Sequence, residues 1–247
     1  MAKLNPVFSG IRVEEGIDTA ASVKGVAGKT LFLLGVAVLS AFLSITVGAG
    51  VIASNPSILV IAMIGALICG IAGQVSANAA KVCSIIYAIC EGILLGLISF
   101  AFEALIGGGG IVMSAVLITA TIFGVMLLLY STNIIKVNGR FMRAMSAIGL
   151  TLCIVSLVYL ISFLINPYNM LIVALTNNTG LVVLISVLVL LYGAFMLAMD
   201  FEQVNAIVAN GFDKRYEWTA ALGLMVTLIW IYIEVIRLLA ILASNRD

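Results

Sequence analysis

"LVVLISVLVLLYGAFMLAMDFEQ", residues 181–203, decides how this chain must fold. Nineteen uncharged residues run from Leu181 to Met199, and then Asp200 and Glu202 arrive with no turn-forming residue before them. A helix needs about 20 apolar residues to cross ~30 Å of hydrocarbon, and this run supplies them. The apolar residues are continuous instead of alternating, which excludes the strand of a membrane barrel. Carboxylates at the end of such a run are costly in lipid, where charge marks an ion pathway, a proton relay or an internal pair.

The rest of the chain repeats the pattern. Of 247 residues, 64% are hydrophobic and only 9% charged, against about 25% charged in a soluble domain. An integral membrane protein is expected, with most of its mass in the bilayer. The net charge of +1 is dispersed and gives no basis for nucleic-acid binding. There is no His, and Cys69, Cys83, Cys90 and Cys153 form no CxxC pair. Zinc and haem are therefore not expected, and the thiols read as small fillers of helix interfaces. Residues 1–29 carry seven charges and no long apolar core, so they read as a polar tail and not as a removable signal.

Seven spans follow, at about 30–52, 58–77, 82–103, 111–131, 144–165, 180–209 and 218–243. "ASNPS" at 53–57 divides the first two, because Pro cannot continue a helix and Asn and Ser favour turns. "GGGG" at 107–110 ends the third, and "NPYN" and "TNNTG" bracket the fifth loop. Lys and Arg occupy the tail and the second, fourth and sixth loops, while the first, third and fifth loops have none. By the positive-inside rule the N-terminus is cytoplasmic, and seven crossings put the C-terminus on the opposite side. Gly65, Cys69 and Gly73, and likewise Gly92 and Gly96, recur every four residues, a spacing that lets helices approach closely in lipid.

Five acids and one base lie within or beside the spans: Glu91, Glu103, Asp200, Glu202, Glu234 and Arg237. Glu103 is near a helix end, where water reaches it. Glu202 is about 200° around the helix from Asp200, so the two cannot face one small site. Glu234 and Arg237 are three apart, the spacing of an intrahelical pair. Glu91 is ~15 Å along its helix from the cytoplasmic side, a depth that Asp200 shares if the sixth helix continues to Asn210.

"MDFEQVNAIVANGFDKRYEWTAALGLMVTLIWIYIEVIRLLAIL", together with "YAICEGILLGLISFAFE" and "NPVF", resembles the bacterial branch of the Bax inhibitor-like (transmembrane Bax-inhibitor motif) family over nearly the whole chain. The resemblance implies six helices around a central seventh, in the cytoplasmic membrane of a bacterium. It also implies a pH-sensitive calcium leak or, as the alternative, a non-catalytic regulator that binds and restrains a membrane protease through its polar tail. In leak-type members an aspartate on the sixth span and one on the seventh sense pH. Asp200 matches the first; Thr227 stands where the second is expected. An Asp200–Glu91 pair with Thr227 as a neutral partner is the expected substitute, and a weak calcium site at Asp200 and Glu91 would go with it. Glu234 offers a second station further out, and Glu202 and Arg237 are secondary candidates. Calcium or other cations, protons and the lipid bilayer are the expected partners, and no bound cofactor is expected. No nucleophile–base arrangement is present and no second aspartate lies at depth, so no enzyme is expected.

Overall fold

The computed structural model describes residues 20–46, 55, 57–105, 110–166 and 178–244. These residues form seven helices: α1 Val23–Thr46, α2 Ser57–Val75, α3 Ala77–Leu105, α4 Ile111–Ser131, α5 Gly139–Ile165, α6 Thr179–Ala209 and α7 Tyr216–Ser244. All seven are long and apolar enough to cross a bilayer, so the chain is an all-α, multi-pass membrane protein. The expectations for residues 1–19, for most of the glycine and "ASNPS" turns and for the loop at 167–177 lie outside the described residues. α1 and α5 begin before the uncharged stretches do, so Lys24, Lys29, Arg140 and Arg143 ride on helical turns.

Local chemistry sets the helix ends. The Asn138 side chain accepts from the Arg140 and Phe141 N–H groups at 3.1 and 2.9 Å and caps α5. Asn178 does the same for α6 through Leu181 N–H, at 3.1 Å. Glu103, near the end of α3, accepts from the N–H groups of Gly110 and Val112 at 2.8 and 3.2 Å. It places a carboxylate where the first turn of α4 has unpaired donors, which explains a charge that solvation alone left without a role. α6 stops at Gly211, whose φ of 65° is the left-handed conformation that favours glycine. The N–H of Phe212 then donates back to the Ile207 carbonyl at 3.1 Å.

α7 is the axis of the bundle. Its spanning window is 56% buried, against at most 28% in any other helix and none in α5. α1, α2, α3, α4 and α6 pack against it, while α5 lies outside and packs on α6. Phe141 meets Phe195 edge to face there, and the Tyr192 hydroxyl donates to the Met145 carbonyl at 3.4 Å.

Small residues bring α1 and α3 together. A Cβ on Gly92 would lie 2.7 Å from the Ser40 Cβ, and one on Gly96 would lie 2.9 Å from the Ala41 Cα. Nothing larger than glycine fits at either position without separating the helices. Gly65 and Gly73 meet Cys90 and Cys83 of α3 in the same way, at 3.2 and 3.3 Å.

One end of the bundle gathers the basic residues. Ala20 forms an antiparallel bridge with Asp213, and the Ala21 N–H donates to the Phe212 carbonyl at 2.7 Å. Arg215 donates to the Asn78 side chain at 2.7 Å. The start of α1, the α2–α3 turn and the α6–α7 turn therefore meet at one end, as odd-numbered helices running one way and even-numbered helices the other require.

Candidate functional site

Two contacts set the register of α6 against α7. Gly193 faces Ile231, where an added Cβ would lie 3.0 Å from its side chain, and Arg237 donates to Ser186 at 3.4 Å. Moving seven residues from Gly193 to Asp200, and seven back from Ile231, reaches Leu224. Asp200 thus faces the turn of α7 that carries Thr227. The carboxyl lies against the Thr227 hydroxyl, and that hydroxyl's own hydrogen bond goes to the Gly223 carbonyl at 3.3 Å. Asp200 Oδ2 is buried and has no hydrogen-bond partner. An unpaired buried oxygen on an ionisable group is costly, and such groups collect at functional sites.

Glu91 reaches the same depth from another side. α3 runs parallel to α7, and the Ser99 hydroxyl is 2.7 Å from that of Tyr232. Eight residues back along each helix brings Glu91 level with Leu224. However, α3 and α6 both pack on α7 and are not packed on each other. Glu91 lies against Tyr87, one turn earlier on its own helix. The structure does not show the two side chains in contact: they share a depth on helices that each pack on α7, with Asp200 against Thr227 and Glu91 against Tyr87.

The remaining candidates are distributed. Glu202 points away from Asp200, as their angular separation requires, and accepts from the Tyr130 hydroxyl of α4 at 2.7 Å. That hydroxyl accepts in turn from Asn205 Nδ2 at 2.6 Å. Glu202 is therefore part of the α4–α6 contact. Glu234 Oε2 lies 2.7 Å from Arg237 Nη2, an ion pair without hydrogen-bond alignment, and the arginine side chain is 46% exposed. The pair is further along α7 than Thr227, towards the end opposite the basic residues. On α4, Thr119 has a buried hydroxyl with no partner. Phe201 packs against both Phe123 and Tyr130, so Thr119 lies outward of Asp200, in the direction of Glu234. A threonine in an apolar helix carries no sequence signal of this kind, and the reading of charges passed over it.

A second cluster, at the basic end, was also missed. Glu217, in the first turn of α7, is fully buried. Its Oε1 accepts from the N–H and the hydroxyl of Ser22, at 2.8 and 3.2 Å. Its Oε2 pairs with the Lys29 ammonium, which also lies 5.3 Å from the centre of the Trp218 ring. The available signal was the acid at the mouth of a span, in "EW" at 217–218, together with a lysine just inside another span. Asp213 lies outside the helices, and the Arg215 N–H, then its guanidinium, hold its carboxyl below the usual carboxylate range.

A sequence model of the Bax inhibitor 1 like family matches residues 5–244, nearly the whole chain. The chain belongs to the Bax inhibitor 1 like family. No curated protein and no solved structure matches it. The described residues carry seven helices, five of them packed on the central α7 and α5 placed outside, on α6. In this family member the sixth-helix carboxyl faces a threonine and not a second acid.

Proposed function

We propose that this protein is a pH-sensitive cation leak in a bacterial cytoplasmic membrane, with its N-terminus in the cytoplasm. The observation that carries this reading is Asp200: a carboxyl at membrane depth with one oxygen buried and unpartnered. A carboxylate held there with no cation beside it is neutralised by taking one up, and protons and metal ions compete for the same oxygen. Occupancy by one then governs passage of the other. Thr227, the unpaired Thr119 hydroxyl and the Glu234–Arg237 pair supply polar groups further along the bundle. Calcium enters this reading through the family resemblance alone. The positive-inside rule supports the orientation, because the basic residues gather at one end.

The test is cation flux through the purified full chain in liposomes, measured at several external pH values. Asp200→Asn is expected to lower flux and flatten its pH response, while Glu202→Gln, which points into the α4–α6 contact, leaves both in place. If the Asp200→Asn protein leaks like the wild type at every pH, the reading is wrong.

A further inference from the structure

We infer that Cys69 of α2 and Cys83 of α3 form a redox-active thiol pair, which a peroxide oxidises to an intramolecular disulfide joining the two helices. The inference stands apart from the leak reading above. It starts from the α2–α3 hairpin, whose helices are separated by Ser76 alone. Glycines let this hairpin close tightly. A Cβ added to Gly73 would lie 3.9 Å from the Ala80 Cα and 3.3 Å from the Cys83 Cβ, and one on Gly70 would lie 3.3 Å from the Tyr87 ring. The contacts advance along α3 as they run back along α2, as antiparallel helices require. Four residues back from Gly73 is Cys69, and three on from Ala80 is Cys83. At 1.5 Å per residue these steps differ by about 1.5 Å, so the two cysteines are level across the seam. The Cys69 thiol lies against that of Cys83.

The other two cysteines are placed differently. Cys90 is seven residues, or about 10 Å, further along α3, where it meets Gly65. Cys153 is exposed on α5, outside the bundle. As fillers of a helix interface, Cys69 and Cys83 would need only their size. A thiol against a thiol supplies more, because a disulfide needs two cysteines on close backbones with their side chains turned together.

Both thiols are free and half-buried. Each is six residues, or about 9 Å, from its helix end at the basic end of the bundle, a depth that a small uncharged peroxide reaches. One sulfur, as its thiolate, attacks the peroxide. Its S–O bond forms, the O–O bond breaks, and a water leaves with the proton that the thiol gave up. The second sulfur then attacks the sulfenic acid: the S–S bond forms, the S–O bond breaks, and a second water leaves. Two thiols are oxidised to one disulfide, and one hydrogen peroxide is reduced to two waters. Thiol exchange reverses the step in a reducing compartment. The bond fixes α2 on α3 beside Gly73, which also meets Leu222 of α7.

The experiment uses the purified full chain in detergent, fully reduced and then treated with hydrogen peroxide. Remaining thiols are alkylated, and the intact mass is read before and after dithiothreitol. The reduced wild type is expected to take four alkyl groups, one for each free cysteine. The oxidised wild type is expected to take two, to lose two hydrogens, to stay monomeric on a non-reducing gel and to regain four after dithiothreitol. Peptide mapping is expected to join Cys69 to Cys83. Cys69→Ala and Cys83→Ala are each expected to keep every remaining thiol open to alkylation, while Cys90→Ala and Cys153→Ala still lose two. A wild type that keeps all its thiols, gains oxygen without linking, or links other cysteines or two chains overturns the inference. The wild-type mapping decides the question even if a variant fails to fold.

Discussion

Replacing Lys29 with methionine tests the clamp at the basic end of the bundle. Methionine keeps a stem of similar length beside Trp218 and removes the charge. Glu217 is then a fully buried carboxylate without its cation. Removing one partner of a buried ion pair costs about 3–5 kcal/mol. Two features put this case at the low end. Ser22 still donates its N–H and hydroxyl to the same carboxylate, and the Lys29 side chain is 17% exposed, so water can enter the gap. A loss of about 3 kcal/mol lowers the melting temperature of a chain this size by roughly 6–12 °C. Intrinsic tryptophan fluorescence of the purified protein in detergent measures it, and Trp218 is beside the mutated residue. Adding Glu217→Gln removes the stranded charge, so the double variant is expected to melt above Lys29→Met alone. The clamp argument fails if Lys29→Met melts within about 2 °C of the wild type, or if the double variant is no better than the single one.

Three further outcomes follow. Gly96→Leu drives a side chain into Ser44 and Ala41 and is expected to cost about 1–3 kcal/mol or more by overpacking, read as a lower melting temperature and a lower yield of monodisperse protein. Tyr130→Phe strips the shared hydroxyl from Glu202 and Asn205, at about 1–3 kcal/mol; liposome flux measured beside stability is expected to keep its dependence on Asp200. Asp213→Asn acts through pH. The folded carboxyl titrates below its unfolded value, so the stability it contributes is present above that value, about 3.9. That contribution is lost as pH falls through the folded one. Melting curves at pH 7 are expected to separate the variant from the wild type, and the gap to narrow as pH is lowered below the ordinary carboxylate range.

The helix count was legible because lipid demands long apolar helices, and because loop charge alternates strictly; the central α7 was implied by the family resemblance alone. The opposite facing of Asp200 and Glu202 followed from helix geometry alone. What could not be read was lateral placement. Depth along an axis comes from counting residues, and Glu91 does share the depth of Asp200. Which helix meets which depends on packing, and the two that carry these acids each pack on α7. Glu103 shows a second limit: its capping bonds form only once the chain between α3 and α4 has turned. Glu217 shows a third, since its partners are 188 to 195 residues away in sequence.

Those separations, and the place of α7, set the order in which the molecule can be completed. The helix that every inner neighbour packs against is made after the other six. Until it arrives, α1, α2, α3, α4 and α6 surround nothing, and the polar groups of Glu91 and Asp200 face a gap that lipid or water must fill. The bridge from Ala20 to Asp213, and the ion pair of Lys29 with Glu217, can close only after α7 has begun to insert. Joining the residues just before α1 to the α6–α7 turn is then a test of completeness: a chain cut before Tyr216 has no α7 and no fold to close. Because closing so long a loop is entropically expensive, little tension exists to hold the early helices in place beforehand. Truncated chains are therefore expected to be open, exposed and readily degraded in the membrane, and the intact chain to become resistant in one late step.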